Sequence, residues 1–461
     1  MALNTSPSKR FYKAALKQAS EWGTAVEVGA GDELIVTSDG DPGLRQTYAS
    51  CDAIGQVMPF DGDLSAYEPI EFAPEFGSKC GLQYAPGPIG SAIAGLFGEV
   101  DEPQPLFVVD ATNNKIDLKE GAGEPLVATV ASGSYTAATL CAAIKAALEV
   151  PGALTFTVTF STTTLKFTIA ADGEFSLLWN TGANKLVDIS TMCGFSDAAD
   201  DTGAATYTAD TVAIGVAYVH RFSWADEMPA DAFFTFVTSR PGAVWEIPSC
   251  ICNKLELKVG DGKVQGSIGL VGNQLVNDSV INDEDSLAAL TPEVSGTFIK
   301  FQHGVARFNA ESGDALDGDD AVEVSDFTIA YERTTDAQMS LGGSYISQPK
   351  ESNFKIGPKL TLPYATAANV AYLDLFTGMT AQKMDIVFTG PTIAGTHCYG
   401  LTLGFPRLKL VAPPDVKLED IIRNGLEFVA EEAAAAPTGM TEVRPYIEIT
   451  NTRSTAYLTV A

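Results

Sequence analysis

Histidine is nearly absent. His220, His303 and His397 are the only three in the 461 residues. No G-x-S-x-G elbow, P-loop, H-E-x-x-H or complete dinucleotide fingerprint occurs, and Gly29-Ala30-Gly31 and Gly121-Ala122-Gly123 are fragments of the last. The chain therefore does not read as an enzyme, and no cofactor is expected. The remaining enzymatic alternative is a hydrolase whose histidines converge only in space. Basic residues are also scarce, at 29 against 58 acidic ones, a net charge of −29. Such a surface resists non-specific adhesion and lacks the basic patch that holds phosphates. It suits a protein that faces nucleic acid without gripping it.

Long apolar runs are missing too, since nothing approaches the ~20 residues that span a bilayer, so no membrane insertion is expected. Met1 to Gly23 shows neither a continuous apolar core nor a cleavage pattern. The seven cysteines (Cys51, Cys80, Cys141, Cys193, Cys250, Cys252, Cys398) form no regular framework, and their odd number leaves one unpaired. Reduced thiols and synthesis in a cytoplasm follow as expectations. Cys250-x-Cys252 has no second ligand pair at metal-binding spacing, so two buried strand thiols are expected. The run Asp314, Asp317, Asp319, Asp320 and Glu323 lacks the order of a calcium loop and reads as a solvated acidic loop. No metal site is expected.

The chain does contain a repeat. Residues 69–85 return without a gap at 349–365, with Pro69, Glu71, Gly77, Lys79, Leu82, Tyr84 and Ala85 meeting Pro349, Glu351, Gly357, Lys359, Leu362, Tyr364 and Ala365. Each copy runs on into a short helical pattern, ending Leu96-Phe97-Gly98 in the first and Leu375-Phe376-Thr377-Gly378 in the second. Solenoid periods are only about 20–50 residues, so this spacing implies a duplicated domain. Val, Ile, Thr, Tyr and Phe recur in short runs between turn signals, which predicts a mainly β chain.

Five segments follow. Residues 1–22 form a basic arm, read as a helix over Ser6–Trp22 with Lys9, Arg10, Lys13 and Lys17 on it, docked on its own or a neighbouring copy. Residues 23–102 and 214–276 form a first domain, interrupted by an α+β insertion at 103–213. In that insertion the stripe Leu140, Ile144, Ala147 and Leu148 predicts a helix over Ala138–Leu148, and a second short one over Lys185–Met192. After the insertion Ala217–Phe222 is expected to answer Met384–Phe388, and Gly260-Asp261-Gly262 predicts a hairpin. Residues 277–290 read as an acidic linker and 291–461 as the second domain. Without the insertion each copy has about 175 residues, an ordinary domain size.

The extended strands, the short helix ending Leu-Phe-(Thr)-Gly, Cys252-Asn253-Lys254-Leu255-Glu256-Leu257 with its glycine-turn hairpin, and the closing Tyr446-Ile447-Glu448-Ile449-Thr450-Asn451 together resemble the tail tube proteins of long-tailed bacteriophages in duplicated form. The resemblance covers residues 23–102 and 214–461. It implies two tandem β-sandwich or barrel domains, each with a packing helix, joined edge to edge into a ring around an open channel. Three duplicated chains would fill six places, and rings would stack into a siphovirus-like tube, assembled in the bacterial cytoplasm and residing in the virion tail. The implied partners are other copies of itself and the tape-measure, tail terminator and distal tail proteins. DNA would pass through an acidic lumen without specific binding. Expected assembly residues are Lys9, Arg10, Lys13, Lys17, Leu96, Phe97, Leu375 and Phe376. A secreted or surface-layer adhesin of tandem β domains is the alternative from another class.

Overall fold

The structure, a computed structural model, describes residues 13–43, 46–49, 63–67, 69–77, 81–229, 232–240, 243–260, 262–277, 279–292, 297–338, 345–363, 370–413, 415–418 and 422–459. It is mainly β, and its strand ladders are antiparallel. The chain opens with β1 (Ala14–Ala19), β2 (Gln46–Ala49), β3 (Asp63–Tyr67), β4 (Ile70–Phe72), β5 (Glu75–Phe76) and α1 (Pro88–Phe97). An excursion follows, starting with β6 (Gly98–Val100), β7 (Gln104–Val109), β8 (Lys115–Glu120), β9 (Leu126–Thr129), β10 (Gly133–Thr136) and α2 (Ala137–Leu148). It continues through β11 (Phe156–Ser161), β12 (Lys166–Leu177), α3 (Ser190–Cys193), β13 (Asp201–Thr208) and β14 (Ala217–Trp224). Strands β15 (Phe233–Arg240), β16 (Ala243–Gly260), β17 (Lys263–Gly272) and β18 (Val276–Asn277) complete the first unit. Helix α4 (Glu284–Ala289) leads to β19 (Gly304–Ala310), β20 (Ala321–Val322), β21 (Asp326–Asp336), β22 (Lys350–Leu362) and α5 (Val370–Thr377). Last come β23 (Gln382–Ala394), β24 (His397–Leu410), β25 (Asp415–Leu418), β26 (Ile422–Glu431) and β27 (Tyr446–Asn451).

One strand path occurs twice. In the first unit β1 pairs β15, β15 pairs β16, β16 pairs β17, and β17 pairs β4 and β5. In the second, β19 pairs β23, β23 pairs β24, β24 pairs β26, and β26 pairs β22. Chain order along the two paths is the same, with α1 and α5 at equivalent places. The strand after β5 differs, because β6 to β14 interrupt the first unit and nothing comparable follows α5. The counterpart of Met384–Phe388 in β23 is therefore β15, and Ala217–Phe222, expected in that role, belongs to the excursion.

In the second unit, residues 350–362 of the repeated segment form one continuous strand, β22. In the first it is split into β4 and β5 by Pro74, which cannot donate to a ladder. Helix α1 has Pro88 in its first turn and ends at Gly98, whose φ of 92° suits glycine. It is buried on nearly all sides, wedged against β16, β1 and β14, whereas α5 leaves Leu373 exposed. The hairpin β16–β17 turns at Gly262, where φ is 71°.

Two expectations are corrected. The basic arm is not a helix where it is described: Ala14–Ala19 is a strand, with Leu16 opposite Phe236. Its Ala14 and Leu16 enter the main core, while Ala15 and Ala19 enter two smaller clusters on the other face. A strand buried on both faces has no period-two signal, and its run of alanines mimics a helical stripe. Ser6–Tyr12 lie outside the described residues. Nor is 277–290 a loose linker. Leu287 and Leu290 pack with Val28, Val237 and Val244, and the fully buried Asn282 bonds Val28 N, Val26 O and Glu246.

The main core runs through both units, from Ala14 to Leu458. The excursion has a core of its own, from Phe107 to Ala213, with α2 laid across β7, β9, β10 and β11. Thr136 and Thr139 cap α2 reciprocally, as a capping box does. The expected second helix is a 3-10 turn at Lys185–Val187 followed by α3.

Candidate assembly surfaces

The eight expected assembly residues do not form one surface. Lys9 and Arg10 lie outside the described residues. Lys13 Nζ donates to Leu290 O at 2.8 Å, and Lys17 Nζ donates to Glu27 O at 2.8 Å and lies 3.2 Å from Asp32. Both lysines thus hold their own chain. Leu96 and Phe97 are fully buried, so they are core residues, excluded from any contact between chains. Leu375 and Phe376 are half-buried against the main core.

The units meet along a sheet edge instead. Strand β16 of the first pairs β21 of the second, with Lys254 opposite Glu332, Leu255 opposite Tyr331, Glu256 opposite Ala330, Leu257 opposite Ile329 and Lys258 opposite Thr328. Alternation sends Leu255, Leu257, Ile329 and Tyr331 inward, all fully buried. The sheet then runs without a break through β17, β16, β21, β22 and β26. Its outer face is a lattice of opposite charges. Glu332 stands between Lys254 and Lys355, and Lys359 reaches Glu427 at 2.9 Å. Cross-strand pairs of this kind are worth about 0.2–1 kcal/mol each. Lys254, Lys258, Lys355 and Lys359 alternate there with Glu256, Asp326, Glu332 and Glu427, and Glu75 on β5 adds an acid beside Ser267, so this face is polar and carries both signs.

A second join closes the opposite layer. Strand β27 pairs β24 on one side and β14 on the other. Arg221 on β14 braces the join, bonding Glu448 at 2.9 Å with Glu442 at 3.6 Å, while within the second unit Arg407 bonds Glu311 at 2.7 Å and Glu431 at 3.0 Å, and Arg307 bonds Asp385. The hydrogen bonds from Lys409 and Arg407 hold the Glu431 carboxyl below its usual range. The excursion is attached to this layer. Its last strand, β14, pairs β27, His397 Nε2 lies 2.9 Å from Phe107 O, and Thr396 N donates to Ser134 Oγ.

A residue missed in the sequence, Arg333, locks the first join. Its Nε donates to Leu96 O (2.8 Å), Nη2 to Phe97 O (3.0 Å) and Ala225 O (2.6 Å), and Nη1 to Glu351 Oε2 (2.8 Å). The guanidinium stacks 4.4 Å from the Trp224 ring. Burial pushes its pKa down while Glu351 pulls it up. A second-unit strand thereby caps the C-terminus of the first-unit helix. The signal was readable: Phe327, Ile329, Tyr331 and Arg333 alternate, so one arginine stands on an inward face.

The three histidines stay apart. His220 is buried and bonds Arg453 O, His303 lies near Tyr84, and His397 meets Phe107. Cys250 and Cys252 are buried, and their thiol hydrogen bonds go to Phe234 O and Lys254 O. In the acidic run, Asp320 and Asp317 accept from backbone N–H groups of the same loop. Among the described residues no group of three or more His, Cys, Asp or Glu side chains is arranged to hold a metal ion, and no helix is long and apolar enough to cross a membrane. No family model matches the chain, and no curated protein matches it.

Proposed function

We propose that this protein is a structural subunit of a bacteriophage tail tube, three chains closing into a pseudo-hexameric ring and rings stacking into a conduit for DNA. The join between β16 and β21 carries the reading. Two units with the same strand path already share one continuous sheet, and repeating that join between chains closes six units into a barrel without exposed edges.

The outer face of the shared sheet lines the channel in this proposal. The excursion sits outside, because β14 attaches it through β27 to the other layer across the core. Carboxylates including Glu75, Glu256, Glu332 and Glu427 stand on that face among lysines, and the acidic lumen expected from net charge stays part of the proposal. A polar wall of mixed charge with no basic patch lets phosphates pass. The tape-measure, tail terminator and distal tail proteins are its proposed partners, and the virion tail its proposed location.

The test is negative-stain electron microscopy of concentrated purified protein, with and without the proteins that initiate the tail. Hollow tubes or rings with six-fold-like sections and three chains per ring are expected. Protein that stays monomeric throughout, or rings of six chains, would refute it.

A further inference from the structure

The entry into the second unit shows how one unit receives the next. Residues 297–301, just ahead of β19, lie along the first unit. Tyr84 N donates to Thr297 O (3.2 Å), Ile299 N to Leu82 O (2.9 Å), Val264 N to Ile299 O (3.0 Å) and Phe301 N to Gly262 O (2.9 Å). Ile299 is 1% exposed in the main core, and Lys263 Nζ lies 4.6 Å from the Phe298 ring centroid. This short segment is an added strand that stitches the units together.

The strand path identifies the corresponding parts elsewhere. The counterpart of β19 is β1, so the counterpart of 297–301 lies in the residues that precede β1, within 1–12. The counterparts of Leu82 and Gln83, by the repeat, are Leu362 and Pro363. Beside Pro363 opens an apolar groove of ≈520 Å³ lined by Phe301, Val305, Val322, Val324, Phe327 and Phe388, among others. In the first unit the hollow beside Gln83, lined by Ile35, Ala85 and Ile89, measures only ≈10 Å³.

We propose that residues 1–12 of a second copy of this chain fill that groove and extend the second unit at Leu362–Pro363, as 297–301 extend the first. In a closed ring, the operation relating the first unit to the second also relates the second to the first unit of the next chain. The leader of that next unit is residues 1–12. Its chemistry suits the groove: Phe11 and Tyr12 offer apolar surface, while Lys9 and Arg10 complement the exposed Glu323 in its lining on a body of charge −29. Strand addition at a free edge uses backbone bonds for affinity and side-chain pockets for register. This inference rests on the ring reading.

The experiment places a benzophenone-bearing phenylalanine analogue at position 11 of the full chain. Assembly is from equal parts of isotope-labelled and unlabelled protein, and photoproducts are mapped by mass spectrometry. Mixed-isotope cross-links to residues 321–327 or 386–388 are expected. Links within one chain, links elsewhere, or no links in intact rings overturn the inference and leave the ring reading standing. A second variant, Val305→Asp, alters a groove residue that is 48% exposed. It should raise the concentration needed for assembly at least about ten-fold, because a charge is desolvated in the groove, with an unchanged Tm. An unchanged assembly threshold would also overturn it. Wild-type chains that form no rings would sink the ring reading itself.

Discussion

Replacing Arg333 with methionine tests whether the two units are held as one body. The side chain is 4% exposed and joins the β21 strand to the end of α1, to Ala225 and to Glu351. Methionine keeps the apolar stem and the contact with Trp224 but leaves Glu351 only its hydrogen bond from Met228 N, and the Leu96, Phe97 and Ala225 carbonyls without this donor. Removing one partner of a buried pair costs about 3–5 kcal/mol. The lower half of that range applies here, because Glu351 is 22% exposed and can turn to water. We expect a loss of about 3–4 kcal/mol in urea unfolding followed by tryptophan fluorescence, which Trp224 reports directly. Glu351→Gln should cost less, since the guanidinium keeps its carbonyl acceptors, and the double mutant should be less than additive. A loss under about 1 kcal/mol for Arg333→Met, or strict additivity, would refute the clasp.

Two further outcomes follow from burial. His220 is 1% exposed against the Tyr457 ring, and burial lowers its pKa to about 4. The unfolded chain takes up this proton near pH 6.5, so the stabilisation is complete above that pH and is lost as pH falls toward 4, by about 3 kcal/mol. His220→Gln should flatten the fall in Tm between pH 6.5 and 4, and parallel curves for the two proteins would disprove the assignment. Burial raises the Cys252 thiol to about 12 and pushes Cys250 and Cys193 well up, while Cys398 is half-exposed. Iodoacetamide at neutral pH should therefore label Cys398 first among these four. Mass-spectrometric detection of early Cys250 or Cys252 labelling in the folded protein would contradict the packing described.

Much of the first unit and its excursion was legible where pattern and chemistry agreed. Pro88 and Gly98 bracketed α1, the stripe Leu140–Ile144–Leu148 marked α2, and Gly260–Gly262 marked the long hairpin. The candidate surface was less legible. Leu96 and Phe97 ended a repeated motif and looked exposed only because a helix pattern does not say how many faces are covered. Here sheets cover it nearly all round.

By itself the sequence determined the mainly β character, the duplication and the interruption of one copy, because these rest on local patterning and on recurrence along the chain. It also determined that basic surface is scarce. Tertiary structure alone decided that Ala14–Ala19 is a strand, since a segment buried on both faces loses its period and takes its conformation from the β15 backbone beside it. The edge-to-edge join of β16 and β21 was equally out of reach, because it pairs residues about 75 positions apart through register. So was the mix of lysines and carboxylates on the shared face: net charge is a sum over the chain, whereas the sign at a surface depends on which side of each strand a residue occupies.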